Sequence, residues 1–377
     1  MMNKLLLINQ SSGYLMIDIV NAFEKKYDEV VFMYGSLEKL DLPLSKNVNI
    51  SKLIVYNRKS ALRRAITWVV ATMQVFFRIL FVYRNHEIVY VTNPPLIYLI
   101  SLIIKRPFSI IVYDTYPDAL KNFGIKESNI AYMLWVKWNK IIFAKSKVIF
   151  TLSEGMKRCL TKYIDEKKIN VIPNWSHSDF FYPIPKSENK FIIENNLIDK
   201  FIVLYSGNIG FTHNVEVIIE IANLLSEEEN IQFLIIGEGG KKKKIMQMAK
   251  DNRLTNCTFL TWQTTELLPF SLGSADLGIV TINNETALLS VPSKTYHLMA
   301  VGAPLLCIAP KKSELNELII KHNNGICFEK DQLAEIANYI IKMKNNPKER
   351  IKISNNSISA SYYYTELNAL KYVEGIQ

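Results

Sequence analysis

Short apolar runs, each followed by a turn and a helix-length segment, recur from one end of the chain to the other. Leu5–Asn9, Glu29–Tyr34, Ile88–Thr92, Ser109–Tyr113, Val148–Leu152 and Asn170–Pro173 are such runs in the first half. Phe201–Ser206, Ile231–Ile236, Thr258–Leu260, Leu277–Thr281 and Pro304–Ile308 repeat the pattern in the second. Between them lie predicted helices: Tyr14 to Lys26, the proline-opened Pro94–Ile104, Asn129–Ala144 with Tyr132, Trp135, Trp138 and Phe143, a helix ending near Ser226, and Ser293 to Val301 before Gly302. Strands apolar on both faces and alternating with helices predict an α/β fold with parallel sheets covered on both sides. A chain of 377 residues exceeds one core and predicts two domains. The polar, proline-broken segment Tyr182 to Asn189 is the predicted linker. Two doubly wound domains in tandem, with a cleft between them, is the coherent architecture, and in such sheets ligands sit at the carboxyl ends of strands.

Charge is unevenly shared. Residues 1–185 carry 25 Lys and Arg against 14 Asp and Glu, a net of +11, while residues 186–377 carry 20 against 21, a net of −1. The first part also holds 27 of the 42 aromatic residues. A basic, aromatic-rich half suits a membrane surface or another polyanion. Ala65 to Phe77 and Pro94 to Ile104 are uncharged but short, and basic residues flank both, which suits a helix lying in the membrane interface rather than crossing it. The segment from about Ser60 to Tyr83 reads as basic and amphipathic, and residues 65–83 also read as an ordinary core helix with basic ends. The four cysteines form no CxxC pair and have no histidine at metal-ligand spacing, so zinc and a disulfide framework are not expected. The apolar run at Leu5 to Ile8 is too short for a secretory signal, and a reducing cytosol is the expected compartment.

Each half opens with a strand, a glycine turn and a helix, with Gly13 in the first and Gly207 and Gly210 in the second. Glycine lets a backbone approach a phosphate closely, although a tight strand-to-helix turn wants glycine in any case. Pro292 and Ser293 suit a helix start, leaving amides from about Leu289 through Ser290, Val291 and Ser293 to Lys294 without intrahelical partners. Lys294 in a first turn opposes the helix dipole. A diphosphate would relieve that conflict, as would solvation of the lysine. The run Lys241–Lys244 reads as a solvated helix start with no aromatic interleaving, so no nucleic-acid partner is expected.

Several segments, in order, resemble glycosyltransferase family four: SGNIG at 206–210, FLIIGEGG at 233–240, FLTWQ at 259–263, ADLGIV at 275–280 and VPSKTYHLMAVGAPLL at 291–306. YDTYPDALKNFG at 113–124 and VIPNWSHSDFF at 171–181 are similar to that family's D-x-x-P-[DE] and P-N-x-x-D segments. The resemblance covers roughly residues 1–345 and is nearest to the WbuB-like and WcaI-like transferases of bacterial surface-polysaccharide synthesis. It implies the GT-B fold, two Rossmann-like domains facing across a cleft, and sugar transfer with retention and without an essential metal ion or cofactor. It further implies an acceptor-binding, membrane-docking domain over 1–185, a nucleotide-sugar domain over 186–353, and a C-terminal helix within 354–377 packing back on the first.

On this resemblance the donor diphosphate rests on Lys294, on the amides before its helix and on the turn Ser206, Gly207, Asn208 and Gly210. Gly13 also faces the donor. The nucleotide base, UDP favoured, lies near Gly237, Trp262 and Gln263; Trp262 also reads as a packed edge aromatic. Where many members carry two glutamates, this sequence has Leu289 and His297. His297 is then the ribose ligand, and Glu285 is the substitute for the missing first carboxylate. The basic residue common in the turn is absent, leaving Asn208 and His213. Asp114 is the candidate for assisting acceptor deprotonation, though an aspartate there also caps loops. Asn93, Tyr116 and Asp118 are the candidate acceptor contacts. The implied acceptor is a saccharide on polyprenyl diphosphate, held by a protein attached peripherally to the cytoplasmic face of the membrane. Arg58, Lys59, Arg63 and Arg64 with Trp68, Phe76, Phe77 and Phe81, and Trp135, Lys137, Trp138 and Lys140, are the predicted docking residues. A silent GT-B-like partner subunit and a nucleotide-sugar 2-epimerase are the competing functions.

Overall fold

The computed structural model of the chain describes residues 3–40, 42–210, 213–284, 287 and 291–376. It forms two compact units, Met1–Pro173 with Glu366–Gln377, and Asn174–Thr365. Among the described residues the first unit is built on seven strands: β1 Lys4–Ile8, β2 Glu29–Tyr34, β3 Asn49–Lys52, β4 Glu87–Val91, β5 Phe108–Val112, β6 Ile149–Thr151 and β7 Ile169–Val171. They lie parallel in the order β3-β2-β1-β4-β5-β6-β7. Leu5, Leu6, Leu7 and Ile8 are fully buried, as a central strand covered on both faces requires. Helix α1, Tyr14–Glu24, buries Met16, Ile17, Val20 and Phe23.

Helix α2, Ala61–Phe81, is a single 21-residue helix, and by length and composition it is apolar enough to cross a membrane, which the two short uncharged runs did not suggest. It is nevertheless packed along one face. Ala71, Val75 and Ile79 are fully buried, Gln74 Oε1 accepts from the Ile54 amide at 2.9 Å, and Arg78 donates to Ser51 Oγ at 2.8 Å. The opposite face, Leu62, Ile66, Val69, Met73, Phe77 and Phe81, is 47 to 71% exposed. Both core helix and exposed amphipathic helix therefore hold, on different faces. The predicted helix Pro94–Ile104 is instead a short 3-10 helix, Ile97–Leu102. Helix α3, Ile130–Lys145, starts where predicted, with Asn129 Oδ1 accepting from the Ala131 amide at 2.9 Å.

The second unit, among the described residues, has six parallel strands: β8 Phe201–Ser206, β9 Ile231–Ile236, β10 Cys257–Leu260, β11 Leu277–Thr281, β12 Leu305–Ile308 and β13 Gly325–Phe328. Their order is β10-β9-β8-β11-β12-β13. Helix α4, Glu216–Leu224, packs Ile218, Ile219 and Ile221 into the core formed with Val203, Phe233 and Ile279. Helix α5 is Lys294–Ala300 and α6 is Pro347–Ser361. The last helix, α7 Asn368–Gly375, returns to the first unit and packs on α1. The chain divides at Pro173, ahead of the predicted linker. The physical reason is that residues 182–189 are tied down within the second unit. Asn189 is fully buried and donates to the Phe270 carbonyl at 2.8 Å, and Lys186 pairs with Asp276 at 3.1 Å. In both sheets the strand order reverses beside the first strand, between β1 and β4 and between β8 and β11, where ligand crevices open in doubly wound folds.

Candidate active site

The switch point of the second unit carries a solvent-open cavity of about 400 Å³. Ser206, Gly207, Asn208, Trp262, Ser293, Lys294 and His297, all expected at the donor, line it together with His213, Pro292, Leu268 and Leu272. The Lys294 ammonium dominates its chemistry. Its Nζ is buried and, among the described residues, has no hydrogen-bond acceptor. It sits 3.7 Å from the centre of the Tyr205 ring, a cation–π contact from the end of β8. Burial pulls its pKa down from 10.5 to about 7, and the buried Cys307 thiol opposes this weakly. A buried cation without a carboxylate is costly. An anion entering this cavity would meet an ammonium already stripped of water.

The amides before α5 contribute less than the helix pattern predicts. The helix has only seven residues, Ser293 makes no side-chain cap, and the Thr295 and Tyr296 amides already donate to Pro292 and Ser293 carbonyls at 2.9 and 3.1 Å. Glu285, Leu289 and Ser290 lie outside the described residues. Val291 is buried.

Two glycines have specific reasons. Gly207 lies against the lysine: a Cβ there would stand 3.3 Å from Lys294 Nζ, a tight contact. Gly237 has φ +145°, and a Cβ there would lie 2.0 Å from the Gly207 carbonyl oxygen. Its role is to let the loops after β8 and β9 touch. Gly210, Gly237 and Gln263 do not line the cavity. Gln263 donates to the Thr261 carbonyl at 3.0 Å, whereas Trp262 is 52% exposed and free to stack on a ligand.

His297 is held from both sides. Its Nδ1 is 2.9 Å from Ser176 Oγ, and its ring stacks on Phe181 at 4.4 Å. Burial, with His177 nearby, lowers its pKa to about 3, so it is neutral at pH 7. His213 is likewise neutral, lowered to about 4 by burial and by Lys294 and Lys241. The lysine run is not wholly solvated. Lys241 donates to the His213 carbonyl and pairs with Glu216, both at 2.6 Å, because the loops after β8 and β9 meet there. Sequence reasoning missed Tyr205, since a buried strand aromatic reads as core.

The first unit holds the remaining candidates at the carboxyl ends of β1, β4 and β5. Gly13 precedes α1, and Asn93 donates to the Ser11 carbonyl at 3.3 Å. Asp114 stays open to solvent, yet the protein around it raises its carboxyl above the usual range, with Arg58 pulling the other way. Asp118, expected to touch the acceptor, is spent on structure. Its carboxylate accepts from Tyr132 at 2.7 Å and Tyr163 at 2.9 Å, and pairs with Lys162 at 2.5 Å and Lys121 at 3.3 Å. Burial alone would raise its pKa, but Lys162 and the two tyrosines hold it below the usual value. Tyr116 stacks on Trp135, and Trp68 stacks on Tyr56 and meets Tyr116 edge-on. Trp68 and Trp135 are therefore withdrawn from the expected docking surface, while Phe77, Phe81 and Trp138 remain exposed on it.

Residues 187–360 match the family model described as glycosyl transferases group 1. That segment is similar to group 1 glycosyltransferase domains. Over 234 residues the chain is 24% identical to a protein named glycosyltransferase WbjE, from Pseudomonas aeruginosa, covering 60% of this chain and 58% of that one. Over 176 residues it is 31% identical to WcaI of Escherichia coli (strain K12), named as a colanic acid biosynthesis glycosyl transferase, covering 45% and 42%. The chain thus spans about half the length of the curated relatives it matches. The crystal structure of Anabaena Alr3699/HepE in complex with UDP superposes with a TM-score of 0.74 at 14% identity, covering 99% of this chain and 98% of that one. At that identity the likeness is one of fold, the two Rossmann-like units of GT-B proteins. The group 1 segment lies wholly within the unit that carries the Lys294 cavity.

Proposed function

We propose that the chain is a retaining glycosyltransferase of bacterial surface-polysaccharide synthesis, acting on a saccharide carried by polyprenyl diphosphate. The observation that carries the reading is the buried ammonium of Lys294, without a hydrogen-bond acceptor among the described residues, in a cavity of about 400 Å³ inside the segment that matches the group 1 family. In the proposed reaction the bond between the sugar's anomeric carbon and the donor's β-phosphate oxygen breaks, and its electrons pass to the diphosphate. Lys294 stabilises that charge, and stabilising charge that develops in the transition state is the largest single contribution in such chemistry. The acceptor hydroxyl oxygen bonds to the same face of the anomeric carbon. Its proton passes to Asp114, a solvent-open carboxylate just past the end of β5. No metal ion is used in this scheme, because the cation is supplied by the protein.

Trp262 is the proposed base platform, and UDP is favoured because HepE has been crystallised with UDP and with UDP-glucose. Neutral His297, fixed by Ser176 and Phe181, lines the same cavity and is the proposed neighbour of the ribose. The proposed site of action is the cytoplasmic face of the membrane. The exposed face of α2, with Ile130, Met133, Trp138 and Ile141 of α3 beside Lys137 and Lys140, is the proposed bilayer contact. A thermal-shift screen against UDP-, GDP- and dTDP-sugars tests the donor assignment. One of these should raise the melting point of the wild type. A flat response to all three would remove the transferase reading.

A further inference from the structure

A second recess of about 320 Å³ opens at the opposite edge of the first sheet, at the amino ends of β1, β4 and β5. Lys4, Arg84, His86, Arg106 and Lys147 line it, together with one carboxylate, Glu87. Two of these cations are already neutralised. Lys4 pairs with Glu29 at 2.6 Å and Lys147 with Glu87 at 2.7 Å. Arg84 and Arg106 are not. Each donates to one backbone carbonyl, Leu80 at 2.8 Å and Tyr83 at 3.2 Å, and among the described residues neither meets a carboxylate. A guanidinium has five N–H donors, so most of theirs remain available. His86 is 93% buried by residue; its Nε2 lies 3.5 Å from Glu29 Oε1, and its Nδ1 has no hydrogen-bond partner among the described residues. Exposed apolar residues lie close by in sequence: Phe81 and Val82, both 64% exposed, stand three and two positions before Arg84, and Ile103, 71% exposed, stands three before Arg106.

We propose that this recess binds the phosphate of an anionic phospholipid, seating the end of α2 in the headgroup layer. Two forked guanidiniums match phosphate oxygens bidentately, and a phosphate beside exposed Phe81, Val82 and Ile103 is the chemistry of a lipid rather than of a free anion. The assignment rests on the bilayer contact proposed above and names its polar half. Nothing in the sugar-transfer scheme uses these residues.

The test is flotation of the full-length protein with vesicles of neutral phosphatidylcholine, with and without phosphatidylglycerol. Wild type should favour the anionic vesicles. Arg84→Gln with Arg106→Gln should weaken that binding about 10–30-fold, since each arginine near an anionic surface contributes several-fold. Lys25→Gln with Lys39→Gln, which removes equal charge outside the recess, should change it less than about twofold. Equal losses in the two double variants would overturn the recess as a site. So would a wild type that ignores anionic vesicles but is stabilised by glycerol phosphate. Phe77→Ser with Phe81→Ser separates the two readings: if it abolishes binding while the arginine variant binds normally, bilayer contact stands and the recess falls. If wild type floats with no vesicle, both fall. Circular dichroism of each variant verifies that it is folded.

Discussion

Replacing Lys294 by methionine should make the ligand-free protein more stable and the donor site empty. Methionine keeps the length and most of the apolar contact over Tyr205 and removes the charge. The lysine is held at about 7 against an ordinary 10.5. At about 1.4 kcal/mol per pH unit, the buried ammonium costs on the order of 5 kcal/mol at pH 6, where both folded and unfolded chains carry it. Losing the ring contact returns about 1 kcal/mol. A net gain of about 2–4 kcal/mol is then expected, or about 5–10 °C in the transition of a unit this size. The sign of the pH dependence is fixed. Between about 7 and 10.5 the unfolded wild type binds a proton that the folded one does not, so wild-type stability rises with pH. The advantage of Lys294→Met should therefore shrink to about 1–2 kcal/mol by pH 9. Calorimetric melts at pH 6 and pH 9 measure both effects. A variant that melts at or below wild type with no pH dependence would refute the reasoning, because Lys294 would then already have an anionic partner within the chain.

Other expectations follow from single contacts. Gly237→Ala should lower the melting point of the second unit by about 5–10 °C, from at least 2 kcal/mol of strain and clash with the Gly207 carbonyl. Asp118→Asn should cost about 1–3 kcal/mol by denaturant titration without changing acceptor KM, since its oxygens serve Tyr132, Tyr163 and Lys162. Its folded pKa is depressed, so the difference from wild type should hold at neutral pH and vanish as pH falls through that value. An acceptor KM that rises with stability unchanged would return Asp118 to the acceptor site.

The two sheets were legible because their central strands are continuous apolar runs, and such runs in βα alternation leave one architecture. β3 was not, since Asn49, Ile50 and Lys52 are exposed and only Ser51 is buried, which leaves no periodicity to read. Lys294 announced itself through a local conflict, a cation in the first turn of a helix. What makes it a site is Tyr205 beneath it and Gly207 beside it, 89 and 87 positions away in sequence. Separation in sequence also hid the fate of Asp118. Lys121 is a local neighbour three residues on, but Tyr132 of α3, Lys162 and Tyr163 reach the same carboxylate only in the fold. Fold class follows from local pattern, whereas a carboxylate's role depends on who else arrives.

The identity of Lys294 as the seat of the donor diphosphate can be measured as a proton. A nucleotide-sugar diphosphate has no group titrating near neutrality, so a proton taken up on binding must go to the protein. At pH 8 an ammonium of pKa near 7 is about nine-tenths deprotonated, and the incoming diphosphate should restore it. Calorimetric titration with the nucleotide-sugar that gives the largest thermal shift, in two buffers of different ionisation enthalpy, should report uptake of close to one proton by wild type. Binding of undiminished affinity with no proton uptake would contradict the assignment.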